Sequence, residues 1–317
     1  MFTAFYFVIV LSLETDWHMP FHELLELWTL GAFLVGVAAL PAGWLGDRWS
    51  PSGMMVVFYV GMGASSVAAG FAPNPGAMLL ALAGIGLFAS IYHPVGIPWL
   101  VRSAERRRGK LLGVNGIFGG IGAALGGVVA GGLIEFANWR AAFMVPGAVS
   151  IVTGIALWWS IRRAWVRDDF NAQSAADVSN SRADALRVFG ILLLTMFAAG
   201  VIYHATQAAL PKVFDLRNHN LVGGGVLGVG VLVAIVYVLG SLMQVFGGHL
   251  ADRLPLKTVY LWAYLFQVPV LWLLGLTFGL PLVVVAVLSV MLGAGVLPAE
   301  NMLLARYTPQ RRHGVAF

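Results

Sequence analysis

Apolar runs long enough to cross a bilayer as helices recur near 24 to 46, 54 to 72, 76 to 101, 110 to 135 and 140 to 161, and again near 187 to 210, 222 to 247, 258 to 277 and 281 to 304. Each approaches the roughly 20 residues that an α-helix needs to span a hydrocarbon core about 30 Å thick. The connections are short except for residues 162 to 186, which are charged and rich in Ser, Ala, Asp and Asn. That stretch reads as a linker. Residues 1 to 13 are apolar but lack a basic flank, and Glu14 and Asp16 follow at once. A helix there is only about 20 Å long, so the expectation is the second half of a span rather than a leader peptide.

The runs belong to a duplication. Gly43-Trp44-Leu45-Gly46-Asp47-Arg48 and Gly248-His249-Leu250-Ala251-Asp252-Arg253 both fit Gly-x-Leu-x-Asp-Arg, 205 residues apart. Nearly in step, Pro94, Arg102, Arg107 and Arg108 match Pro298, Arg306, Arg311 and Arg312 at a shift of 204. Internal repeats decide architecture before local detail does. The expectation is an all-α membrane protein with an N-terminal bundle over 1–161, a linker over 162–186 and a C-terminal bundle over 187–317. Counted by the repeat, the chain begins within helix 1 and ends where helix 11 starts, at Gly314 to Phe317. A fragment, a wrong start and a natural short form are all open.

Composition agrees: 59% hydrophobic against 10% charged residues leaves too little polar surface to coat a soluble globule. Basic residues mark the sides. Arg48, the cluster Arg102 to Lys110, the arginines from Arg162 to Arg187, Arg253, Lys257, Arg306, Arg311 and Arg312 fall on one side, 16 of the 19 basic residues. By the positive-inside rule that side is cytoplasmic, with a multi-pass protein of the inner membrane expected. Only Arg140, Lys212 and Arg217 fall opposite. The net charge of +5 therefore reflects topology, and no nucleic-acid partner is expected. The absence of cysteine removes disulfide and thiol chemistry.

The doubled Gly-x-Leu-x-Asp-Arg loop resembles the signature of major facilitator superfamily transporters. Tyr92-His93-Pro94, the basic loop after it, a glycine-studded run and Asn138-Trp139-Arg140 are similar to the branch containing fosmidomycin-resistance efflux proteins. The resemblance implies two six-helix bundles around a central cavity, working by rocker-type alternating access. Gly127-Val128-Val129-Ala130-Gly131-Gly132 also resembles the Gly-Pro-x-x-Gly-Gly element of proton antiporters, with Val128 in the place of proline.

Asp47, Arg48, Asp252 and Arg253 close their helices where a carboxylate can pair with a guanidinium or face a helix N-terminus. This is a conformational latch, with Gly43 and Gly248 allowing close approach. Gly116 with Gly120, Gly122 with Gly126, and Gly127 with Gly131 offer small-xxx-small packing. Polar groups at membrane depth are the candidates for a substrate or proton pathway. His93, beside Tyr92, has an imidazole that titrates near neutrality; a hydrogen bond across helices is the structural alternative. Tyr203, His204 and Gln207 fall in the outer half, with His204 and Gln207 on one face. Glu300, followed by Asn301, either serves the pathway or snorkels to the interface. Asn115, Gln244 and Gln267 read as interhelical hydrogen-bonding groups, and Arg140 as an interfacial anchor.

No Walker loop, His-Glu-x-x-His run, metal cluster or nucleophile motif is present, so no enzyme and no cofactor are expected. The sequence thus points to a secondary transporter in the bilayer, a monomer if full length, exporting a small organic compound in exchange for protons. Proton-coupled uptake of an organic anion is the alternative, motivated by Val128 and by the few acidic groups. A truncated, non-transporting membrane subunit or sensor is a third reading.

Overall fold

Among the residues that the computed structural model describes, 2–102, 108–166, 182–218, 221 and 225–307, every regular element is a helix. The first half contains α1 (Phe2–Asp16), α2 (Phe21–Glu26), α3 (Thr29–Val37), α4 (Ala39–Arg48), α5 (Pro51–Gly70), α6 (Pro75–Ala89), a π-helical turn (Tyr92–Gly96), α7 (Ile97–Arg102), α8 (Arg108–Phe136) and α9 (Trp139–Arg162). The second contains α10 (Arg182–Arg217), α11 (Val226–Arg253), α12 (Leu256–Leu276) and α13 (Gly279–Tyr307). Among the described residues eight spans are long and apolar enough to cross a membrane, and α2 to α4 supply a ninth, bent by 42°. Residues 167–181 of the expected linker, and the expected helix start at Gly314 to Phe317, lie outside the described residues.

The helix starts are written locally. Ser50, Asn74 and Asn138 each accept a backbone N–H three residues on, at 2.9, 2.9 and 3.0 Å. Pro51 and Pro75 follow at the first helical position, where a missing N–H costs nothing. The run from 24 to 46 reads as one helix in the sequence, yet its chain bends before α4. Pro41 explains the bend, because its ring collides with the carbonyl four residues earlier, at Val37. In the same way Pro94 withholds an N–H in the last third of the 75–100 span, and the turn there widens to Tyr92–Gly96. Helix α10 outruns its apolar stretch and continues through Lys212 and Asp215 to Arg217, since charged residues at a bilayer surface do not end a helix.

Nearly every described side chain of α1 from Phe5 to Leu13 is buried, the mark of a helix that is apolar all round and enclosed. Tyr6 within it donates to the carbonyl oxygen of Leu24. Its contacts run to α8 and α9 in the first half and to α10 and α11 in the second. One core surrounds α1 with Met78, Leu82, Trp139 and Phe143; another gathers Leu210, Phe214, Val236 and Leu282, with Leu11 of α1 among them.

Glycine fixes the close contacts. Between α5 and α9, a Cβ on Gly63 would meet the Gly147 carbonyl oxygen at 2.5 Å. Ser66 donates to the Phe143 carbonyl at 2.7 Å, and Ser150 returns a bond to the Tyr59 carbonyl at 2.8 Å. The halves meet along α8 and α11. There a Cβ on Gly127 would stand 2.9 Å from the Gly230 carbonyl oxygen, and one on Gly131 2.8 Å from Leu227 Cα. Gly120 lies against Ser241, and Gly116 near Gln244. Gly122 and Gly126 are on the same helix, Gly126 buried. Gly127→Val is expected to destabilise the protein by about 1–3 kcal/mol, whereas Gly119→Ala, whose Cβ meets nothing within 4 Å, is expected to change stability by less than about 0.5 kcal/mol. Thermal unfolding of the two variants in detergent measures the contrast.

Candidate functional site

At the end of the bundle that carries the Gly-x-Leu-x-Asp-Arg motifs, the marks of the duplication meet in space. A Cβ on Gly43 would lie 3.1 Å from Pro94, and one on Gly248 4.0 Å from Pro298. A Cβ on Gly46 would lie 2.7 Å from Val95. The motif glycine of one span and the proline of another are thus neighbours in both halves, tightly at Gly43 and at ordinary van der Waals distance at Gly248. Asp47 and Arg48 close α4, with the Arg48 guanidinium 4.2 Å over the Trp44 ring. Arg253 closes α11 and is exposed; the Asp252 side chain lies outside the described residues.

Deeper in, the π-helical turn presents Tyr92 and His93. Tyr92 donates to Asn115 Oδ1 of α8 at 2.5 Å, while His93 is exposed and meets the Tyr92 ring edge-on at 5.5 Å. Gln244 of α11 lies one residue along from Asn115 across the seam, its Oε1 3.2 Å from where a Cβ on Gly116 would stand. Polar groups from both halves therefore share one level of the α8–α11 contact. Elsewhere, Gln267 donates to Ser289 Oγ at 3.0 Å, a bond between α12 and α13.

Tyr203 lies near the middle of the candidate span Arg187–Arg217. Gln207 is buried and donates to the Tyr203 hydroxyl at 3.4 Å, and His204 is exposed with its ring edge-on to Tyr203 at 5.3 Å. The residues joined are Tyr203 and Gln207; His204 and Gln207 do not share a face in use.

Glu300 does not snorkel: its residue is 4% exposed. Tyr264 of α12 donates to Glu300 Oε2 at 3.2 Å, and the Tyr260 hydroxyl lies between Glu300 Oε2 at 3.2 Å and Thr195 Oγ1 of α10 at 2.5 Å, with one proton to give to either. A buried carboxylate in α13 is thus held by two hydroxyls of α12, one of them tied in turn to α10, with no cation bonded to it among the described residues. A phenol can donate to the carboxylate or accept from the carboxylic acid, so this cage accommodates both protonation states. The sequence signal for it was two tyrosines four residues apart, on one face of an apolar helix. The side chain of Asn301 lies outside the described residues.

At the opposite end the three stray basic residues all bond. Lys212 reaches Glu14 Oε2 of α1 at 2.5 Å and Asp215 Oδ2 at 3.5 Å, with its ammonium 5.5 Å over the Phe21 ring. Arg140 donates to the carbonyls of Gly70 and Ala72 at 2.9 and 3.2 Å; Arg217 donates to those of Gly275 and Thr277 at 3.0 and 3.2 Å. The two carbonyl pairs are again 205 residues apart. Arg140 also stacks over Trp139 at 4.4 Å, so it closes a helix end as well as meeting the interface.

A profile of the Major Facilitator Superfamily matches residues 1–317. A puromycin resistance protein of Streptomyces alboniger is 31% identical over 129 residues, which are 39% of this chain and 26% of that protein. An MFS-type transporter of Mycobacterium tuberculosis is 27% identical over 132 residues, 40% of this chain and 22% of that one. The chain matches about a quarter of the length of these curated relatives. Among solved structures, a bacterial homologue of the human lysosomal transporter Spinster, inward-facing and unoccupied, superposes with a TM-score of 0.74 at 14% identity, over 99% of this chain and 74% of that one. A D-xylose–proton symporter superposes with a TM-score of 0.59 at 15% identity, over 96% of this chain and 85% of that one.

The Lys212–Glu14 pair joins α10 to α1 across the two halves, and it generates a test. The chain has no cysteine, so a single introduced thiol has no background. Ala208, half-buried one turn from Lys212, packs against the core around α1. Combining Ala208→Cys with Lys212→Gln is expected to raise the rate of maleimide labelling severalfold over Ala208→Cys alone; an unchanged rate would show that the pair does not hold this seam.

Proposed function

The chain belongs to the Major Facilitator Superfamily, and we propose that it exports a small organic compound in exchange for protons, with Glu300 as the proton-carrying group. It is a multi-pass membrane protein with the fold of a secondary transporter. The single observation that carries the coupling is the Glu300 carboxylate, buried at the motif end of α13 and bonded by Tyr260 and Tyr264.

The reasoning is energetic. A charge that must pass through an apolar seam is costly, and neutralising it with a proton lowers that cost by several kcal/mol. Thr195, Tyr260, Tyr264 and Glu300 come from α10, α12 and α13, so shedding or gaining a proton alters bonds between three helices. That ties the protonation state to helix arrangement, which is what coupling requires. His93, exposed in the widened turn, is a second site for proton exchange on the way to the centre.

Alternating access then needs a closure at each end. Lys212 with Glu14 serves one end. At about 1 kcal/mol for a partly exposed pair, it shifts a two-state balance only about fivefold, which suits a contact broken in every cycle. Asp47, Arg48, Asp252 and Arg253 serve the motif end, which faces the cytoplasm in this reading. The puromycin resistance protein motivates export and a drug-like substrate. Uptake of an organic anion is the second reading, favoured by α8, which runs from Arg108 to Phe136 without proline.

Inverted vesicles test the proposal. With an acid interior, native protein is expected to accumulate puromycin, and collapse of the pH gradient to release it. Glu300→Gln is expected to lose at least about tenfold of this accumulation while keeping downhill exchange, with Tyr264→Phe intermediate. Gradient-driven accumulation by Glu300→Gln at the native level would exclude Glu300 as the carrier; accumulation only with the opposite gradient would favour uptake.

A further inference from the structure

The hydroxyls beside Glu300 form a chain whose direction can be read. Thr195 donates its one hydrogen back along its own helix, shared between the carbonyls of Ile191 at 2.9 Å and Leu192 at 3.1 Å. With that hydrogen committed, Thr195 Oγ1 meets the Tyr260 hydroxyl at 2.5 Å as an acceptor, and the single Tyr260 hydrogen goes to it. The Tyr260 oxygen then faces Glu300 Oε2 at 3.2 Å with no hydrogen left to give. A carboxylic acid completes that contact by donating; a carboxylate does not.

Distance argues the same way. A hydroxyl on a carboxylate closes to about 2.5–2.7 Å, whereas Tyr260 and Tyr264 both stand 3.2 Å from Glu300 Oε2. The short contact of the chain is the one between Tyr260 and Thr195. Of the helices packed on α13, α12 presents Tyr260 and Tyr264 and carries Lys257, exposed three residues before Tyr260. Helix α10 presents Thr195, with Arg187 exposed eight residues earlier. Helix α11 carries His249 and Arg253, both exposed, and Asp252, whose side chain lies outside the described residues, as does that of Arg306 on α13 itself. No cation is bonded to Glu300 among the described residues. Leu192 and Leu303 are buried beside the chain, with Tyr260 packed against them.

We infer that Thr195 is the positioning residue of the proton site: by claiming the Tyr260 hydrogen it makes the Tyr260 oxygen an acceptor for the Glu300 carboxylic acid, and so sets how tightly Glu300 holds its proton. When Glu300 releases the proton, the chain reverses. Tyr260 turns its O–H onto the carboxylate, and Thr195 turns its own from the backbone carbonyls to the Tyr260 oxygen, so ionisation removes a bond from α10. A threonine bonded to the preceding turn bends a helix, and the charge on Glu300 is thereby written into the shape of α10. The inference rests on the reading of Glu300 as the proton carrier and adds the residue that tunes it.

Infrared titration of the full chain in lipid tests it, with the protonated-carboxyl C=O band assigned to Glu300 by its loss in Glu300→Gln. Thr195→Val removes the hydroxyl and frees the Tyr260 hydrogen for the carboxylate, so the half-developed band is expected to need about tenfold higher proton concentration than in the native protein. Thr195→Ser, which keeps the hydroxyl, is expected to titrate within about twofold of native. In a Tyr260→Phe background, Thr195→Val is expected to move the titration by less than about twofold, because its effect passes through Tyr260. Identical titrations of the native protein and Thr195→Val, or an equal shift with and without the Tyr260 hydroxyl, overturn the inference; Thr195→Ala serves if Thr195→Val does not fold. The assay involves no transport. A chain that titrates as expected and does not export therefore loses the proposed function and keeps this inference, while intact proton-driven export beside an unmoved titration overturns this inference alone.

Discussion

A polar group inside a bilayer has no water to bond, and much of the interior of this protein is organised by finding such groups a partner. Helices satisfy the backbone internally. Their ends and breaks need help, and the Arg140 and Arg217 guanidinium groups supply it to the carbonyl ends of α5 and α12 at repeat-related positions. Ser66 and Ser150 clamp α5 to α9 from opposite directions. Against that background the groups left over are the informative ones. Glu300 is caged by phenols with no cation bonded to it among the described residues. A buried carboxyl is a cost that a purely structural protein would shed, and in the proposed export it carries the proton.

The second constraint is proximity. Attraction between helices in lipid relies on close approach, since hydrocarbon already surrounds both partners. The seam between the halves therefore runs along Gly127, Gly131 and Gly230, where backbones touch. The α5–α9 contact inside the first half adds reciprocal serine bonds to its glycines; in the proposed alternating access the glycine seam is where the halves would part.

Much of this was legible in the sequence. The apolar runs gave the spans, because the bilayer imposes a length, and the paired motifs gave the duplication. Pro94 marked the break in its helix, and Pro94 and Pro298 proved to be the neighbours of Gly43 and Gly248. Three things were hidden. The end of α10 ran past the apolar run, since hydropathy reports what is apolar and not what is helical. The Tyr260 and Tyr264 cage was overlooked because a search for charges and imidazoles passes over phenols, which look apolar in an apolar helix. The partners of Lys212 and Arg217 lie 198 and 58 or more residues away in the chain, and no local pattern announces such pairs.

The central claim is that Glu300 takes up and releases a proton inside its tyrosine cage. Infrared difference spectroscopy of the reconstituted protein, between alkaline and acidic buffer, observes that event directly. The account predicts a protonated-carboxyl C=O band that is absent from Glu300→Gln and that shrinks when a transported compound is added at constant pH. Identical difference spectra from the native protein and Glu300→Gln would contradict it.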